Sequence, residues 1–80
     1  SDIINSAYDL NATDIHFEIK EKILLVRFRI DGILHNVREF KKEIAENLYH
    51  VLKLAANLDI SHKTLYQSKY YTYQYLISLS

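Results

Sequence analysis

An α+β fold, with two helices laid on one face of an antiparallel sheet, is what the sequence predicts. Three observations lead there. Residues 14–20, 23–30 and 33–37 alternate apolar and polar side chains with the two-residue period of half-buried strands. Residues 41–57 repeat apolar side chains at helical spacing. The resulting order is a helix, a three-strand meander, a helix and one or two further strands, which is the segregated pattern of the α+β class.

Asp2 to about Leu10 reads as a short helix with Ser1 or Asp2 able to cap it and Ile3, Ala7 and Leu10 on one stripe; Asn11 closes it. In Asp14–Lys20, Ile15, Phe17 and Ile19 point one way and Asp14, His16 and Glu18 the other. In Ile23–Ile30, Leu24, Val26, Phe28 and Ile30 oppose Ile23, Leu25, Arg27 and Arg29. A hairpin about the polar Glu21-Lys22 turn sets Ile19 opposite Leu24, Phe17 opposite Val26 and Ile15 opposite Phe28. The same register sets Glu18 by Leu25, His16 by Arg27 and Asp14 by Arg29, so it satisfies apolar and charged faces together.

Asp31-Gly32 is a two-residue turn signal, because primed turns need positive φ. Ile33–Val37 then returns as a third strand, with His35 the odd member of its apolar face. Lys41–Asn57 is the main helix, with Ile44, Leu48, Val51, Leu52, Ala55 and Leu58 on its stripe and Phe40 under its start. Asp59–Lys69 carries no decisive pattern. Tyr70–Leu79 alternates as a strand, with Tyr71, Tyr73, Tyr75, Ile77 and Leu79 on one face. The strand layout suits a PAS-like arrangement, and residues 1–80 are expected to form one domain.

Composition narrows the function. Ten basic and ten acidic side chains cancel, which leaves no electrostatic footprint for nucleic acid or an anionic membrane surface. Absence of cysteine excludes disulfides and thiolate chemistry. No apolar run approaches the ~20 residues that span a bilayer, and no signal-peptide pattern is present, so direct membrane insertion is not expected. The chain begins Ser-Asp-Ile-Ile, and the expectation is a piece of a longer protein.

Few constellations suggest chemistry. Asp14, His16 and Glu18, alternating along one strand face, can begin a metal site. They also read as a polar face paired with Arg27 and Arg29, and this reading is preferred because cations opposite them weaken metal binding. Arg27 and Arg29 project from one sheet face and together suit a phosphate or carboxylate, or else pair across the strands with Asp14 and Glu18. His16, His35, His50 and His62 form no evident catalytic set. The Tyr71/Tyr73/Tyr75 stripe lacks interleaved cations and reads as packing rather than as a stacking platform for single strands. Ile23 and Leu25, expected to be exposed, suggest a contact surface for a neighbouring domain or subunit. With one glycine and no G-x-x-x-x-G-K-[ST], backbone cradling of a phosphate is not available within the chain. No catalytic residue and no metal ligand is assigned.

Ala12-Thr13-Asp14-Ile15-His16-Phe17-Glu18, Val26–Gly32 with Leu34, and Leu58-Asp59-Ile60 occur in the order of three sequence motifs. In these, the chain resembles the secretion and pilus-assembly ATPases, the hexameric motors of bacterial type II secretion and type IV pili. The third motif departs after Ile60: Thr64 stands where the family usually has Arg, Tyr66 where it has Pro, and Ser68-Lys69 where it has Asp-Gly, while Leu65 and Gln67 persist.

The resemblance implies a PAS-like N-terminal subdomain, not catalytic alone, preceding a RecA-like ATPase core that is absent here and that binds ATP and Mg. It implies packing on the ATPase core of the same or a neighbouring subunit in a homo-hexamer. Contact with inner-membrane secretion or pilus platform proteins and a place in the bacterial cytoplasm, peripheral to the inner membrane, also follow from it. Arg27 and Arg29 match the arginines of the second motif and are the nucleotide-contacting candidates. The departures remove one nucleotide-facing charge and a turn from the third motif. The alternative is a PAS-like small-molecule-sensing or protein-interaction module.

Overall fold

The computed structural model describes residues 2–45, 47, 59–67 and 70–79. Helix α1 (Asp2–Asp9) ends at Asn11, whose φ of 58° is left-handed. The Asn11 amide donates to the Tyr8 carbonyl and the Ala12 amide to the Ala7 carbonyl. This paired closure caps orphan carbonyls at a helix C-terminus. It also brings Ala7 and Ala12 into the core, so the cap and the first apolar contact form together.

Strands β1 (Asp14–Ile19) and β2 (Ile23–Ile30) pair in the anticipated register, from Asp14 opposite Arg29 to Ile19 opposite Leu24. The turn between them closes with the Lys20 amide donating to the Ile23 carbonyl. Asp31 and Gly32 have φ of 52° and 79°, the two positive values of a type I′ turn. A Cβ built on Gly32 meets nothing within 4 Å, so the need for glycine there is conformational and not steric.

The third strand, β3 (Ile33–Lys41), runs past the expected end at Val37. An irregularity in the pairing between Val26 and Arg27 places Arg38 opposite Val26 and Phe40 opposite Leu24. One extra residue shifts the strand's facing pattern, and simple alternation does not foresee that. The Arg38 guanidinium then sits 5.0 Å from the centroid of the Phe40 ring. Lys41, expected to open the main helix, belongs to β3; residues 42–45 and 47 are helical, and the rest of that helix lies outside the described residues.

Strand β4 (Asp59–Gln67) takes up most of the stretch that carried no decisive sequence pattern, and it pairs antiparallel with β5 (Tyr70–Ser78). The sheet order is β3-β2-β1-β5-β4. β1 is therefore central: β5 returns from the far end of the chain to pair with it, Phe17 opposite Tyr75 and Ile15 opposite Ile77.

One core follows from this layout. Ile15, Phe17, Leu24, Val26, Phe28 and Ile77 pack with Ala7 of α1 and Ala45 of the second helix, so both helices cover the same face. Each large side chain fully buried in this way contributes ~1.5–3 kcal/mol. Three expectations about faces are corrected. Leu25 is only 7% exposed although it lies on the outer face, with Glu18 of β1 and Glu39 of β3 opposite it on the flanking strands, and Ile23 is half-buried. Ala45 rather than Ile44 is buried at the start of the second helix. Leu10 is exposed because the left-handed closure at Asn11 turns the chain away. His35 meets solvent from the edge strand, which explains how a histidine is accommodated opposite Phe28.

Candidate functional site

The outer face of the sheet is where the chemistry gathers. Strand pleating sends Asp14, His16 and Glu18 of β1 and Arg27 and Arg29 of β2 to that side, and antiparallel pairing brings them into reach. Arg29 lies directly opposite Asp14, and its Nε is 3.4 Å from Asp14 Oδ2. Arg27 lies opposite His16 yet donates from Nη1 to Glu18 Oε1 at 3.2 Å, a diagonal pair that long side chains allow. Lys20 Nζ stands 4.0 Å from Glu18 Oε2.

Glu18 is 9% exposed, unusual for a carboxylate, because β1 is flanked on both sides: Leu25 stands opposite it on β2 and Gln74 on β5. A buried carboxylate without partners is costly, so Arg27 and Lys20 are what make the position tolerable. The Arg27 Nε is itself buried and, among the described residues, has no hydrogen-bond partner.

Asp14 has three partners. The Thr13 hydroxyl donates to its Oδ1 at 2.7 Å, and His16 Nε2 and Arg29 Nε meet its Oδ2. Burial pushes its pKa up, but the hydrogen bonds from Thr13 and His16 and the charges of His16 and Arg29 outweigh it, so the carboxyl titrates below its ordinary value. Arg29 has a second anchor: its Nη1 donates to the Gly32 carbonyl at 3.1 Å. The sequence marked Gly32 as a turn and Thr13 as part of a motif but placed neither in the site. Thr13 precedes the strand, where alternation gives no face, and a carbonyl acceptor leaves no trace in residue type.

Among the described residues no group of three His, Asp or Glu side chains has the arrangement of a metal site. The candidate Asp14-His16-Glu18 trio is divided instead between Arg29 and Arg27. His35 is exposed, His50 lies outside the described residues, and so does the side chain of His62. Of the tyrosine stripe, the Tyr71 side chain lies outside the described residues. Tyr73 and Tyr75 sit on the inner face and line an open groove of about 230 Å³ with Ile19, Lys42 and Ala45. A second groove, about 170 Å³, lies between α1 and β2–β3, lined by Ile3, Leu10, Phe28 and Val37. Among the described residues no helix is long and apolar enough to cross a membrane.

The described residues form a small α+β unit whose outer sheet face carries two ion-paired arginines. The chain belongs to the type II/IV secretion system protein family, whose model matches residues 1–74. It is 48% identical over 65 residues to the type II secretion system protein E of Pseudomonas aeruginosa, covering 81% of this chain and 13% of that protein. It is 46% identical over 52 residues to the type IV pilus assembly ATPase PilB of the same organism, 65% of this chain and 9% of that protein. Against the protein transport protein HofB homolog of Haemophilus influenzae it is 45% identical over 65 residues, 81% of this chain and 14% of that protein. The matched stretch thus spans only 9–14% of the length of these curated relatives.

Proposed function

We propose that this chain is a non-catalytic N-terminal subdomain of a hexameric secretion or type IV pilus assembly ATPase, with the RecA-like core that binds ATP and Mg supplied by the rest of that protein. It packs on the core of its own or a neighbouring subunit and transmits ATP-driven motion. Its setting is the bacterial cytoplasm, at inner-membrane secretion or pilus platform proteins. The observation that carries this reading is the family match over residues 1–74, made to a chain whose own sequence has no phosphate-binding loop.

Arg27 and Arg29 are its nucleotide-facing residues. Their support is geometric: the β1–β2 register sends both guanidiniums to the outer face, and each is more exposed than the carboxylate it pairs with. An oxyanion approaching that face meets cations first, and arginine offers it a fork of always-charged donors. The alternative of a small-molecule sensor needs a cavity of roughly 300 Å³ or more. The two grooves formed by described residues are smaller than that.

The test is ATP hydrolysis by the full-length assembled protein carrying Arg27→Ala or Arg29→Ala. Each is expected to lower turnover about a hundredfold, the scale of one lost charge-stabilising donor, while thermal unfolding shifts only a few degrees. Unchanged turnover in both variants removes the nucleotide contact.

A further inference from the structure

Asp14 and Arg29 form a more constrained pair than Glu18 and Arg27. The Arg29 guanidinium is fixed at two points, Nε against Asp14 Oδ2 at 3.4 Å and Nη1 on the Gly32 carbonyl at 3.1 Å. Two anchors on a planar fork set the orientation of its plane. The Gly32 carbonyl belongs to the type I′ turn, so the second anchor is rigid backbone. These contacts engage the Nε and Nη1 sides of the guanidinium, and the third nitrogen, Nη2, takes part in neither. Arg27 differs: its contact with Glu18 is through Nη1 alone, and its Nε is buried without a partner.

Asp14 is built to serve as such an anchor. Its side chain is 16% exposed against 36% for Arg29, so the carboxylate is the less accessible member of the pair. Thr13 holds Oδ1 while His16 meets Oδ2, which leaves the carboxylate little rotational freedom. A carboxylate repels phosphate oxygens, so Asp14 has no favourable direct contact with a nucleotide to make. Whatever it contributes must pass through the cation it holds.

We propose that Asp14, itself fixed by Thr13 and His16, is a positioning residue that orients Arg29 so that its remaining Nη2 edge faces an incoming phosphate oxyanion. This rests on the reading of Arg29 as nucleotide-facing. Asp14 remains ionised at neutral pH because its partners outweigh the effect of burial. The arrangement is preorganisation: the donor is already aimed before the anion arrives, so little side-chain freedom is lost on contact.

The experiment uses the full-length assembled protein with Mg·ATP and compares the wild type, Asp14→Asn, Arg29→Ala and the double variant, with thermal unfolding measured on each. Asp14→Asn is expected to lower kcat about fivefold with KM within about twofold, the signature of a misaimed group and not of lost binding. In the Arg29→Ala background the same substitution is expected to lower kcat no further, because a residue acting through Arg29 has nothing left to act on. If Asp14→Asn leaves kcat unchanged, or lowers it by the same factor in both backgrounds, Asp14 does not position Arg29 and only this proposal falls. If Arg29→Ala leaves hydrolysis unchanged, the nucleotide-facing reading falls and this proposal with it. Should Asp14→Asn fail to assemble, Thr13→Ala replaces it. That variant frees the carboxylate without removing its charge and is expected to lower kcat about twofold to threefold, again only while Arg29 is present.

Discussion

On the inner face of the sheet Ile15, Phe17 and Val26 are at most 1% exposed, whereas on the outer face Arg27 and Arg29 keep 30% and 36% of their side chains in solvent. Both sets come from the same paired strands, β1 and β2. The inner face is closed: each side chain is surrounded, and its contribution is lost in full when it is removed. The outer face is organised by ion pairs whose cations stay accessible, so its charges remain available to something else. A sheet of this kind divides its labour by pleat parity, with residues at odd spacing building the domain and their immediate neighbours presenting it.

The sharpest way to break that comparison is Phe17→Ala. Removing a fully buried aromatic ring from a core this small is expected to cost ~3–5 kcal/mol, read as a lower urea midpoint or as outright unfolding. A loss near 1 kcal/mol would mean that the inner face is far less closed than its burial indicates. A smaller effect is expected on the outer face from Glu18→Ala, about 1–3 kcal/mol, because it leaves the Arg27 guanidinium without its carboxylate. Replacing both partners with Glu18→Leu and Arg27→Met should cost less than Glu18→Ala alone, since the only charge then left without its partner is that of the exposed Lys20. If the double variant is the worse of the two, packing and not electrostatics governs that face.

The smallest effect is the pH dependence of Asp14. Its pKa is lowered in the folded state, so its stabilising contribution is fully present above the ordinary carboxylate value of 3.8 and is lost as pH falls through the lower folded value. Urea midpoints of the wild type and of Asp14→Asn should therefore keep their full difference down to about pH 3.8 and converge in stronger acid. A gap that persists undiminished in strong acid would show that the carboxylate charge contributes nothing to folding.

Much of this was readable before any coordinates. The β1–β2 register was fixed by two alternating runs that agree in only one alignment, and Asp31-Gly32 marked a turn because only a tolerant pair sits readily at positive φ. The pairing of Arg29 with Asp14 followed from the same register. Other features were hidden. The pairing irregularity beside Val26 displaces β3 by one residue without any signal in residue type, and it moved the strand end from Val37 to Lys41. β4 shows no alternation because it is an edge strand, specified by its partner β5 more than by its own composition. Leu25 read as exposed because burial on an outer face depends on the reach of side chains from adjoining strands.

By itself the sequence determined what short-range periodicity can encode: the first helix, the hairpin, its turns, the sign of each face and the motifs that mark its family. Only the tertiary structure decided that β5 closes against β1, making β1 central and burying Glu18 between two neighbours. It alone fixed the contacts of Thr13 and His16 with Asp14 and the anchor of Arg29 on the Gly32 carbonyl. The physical reason is that facing direction is a property of a residue and its neighbours in sequence. Which strand lies alongside is settled by contacts between distant segments, where apolar burial and charge pairing must be satisfied together.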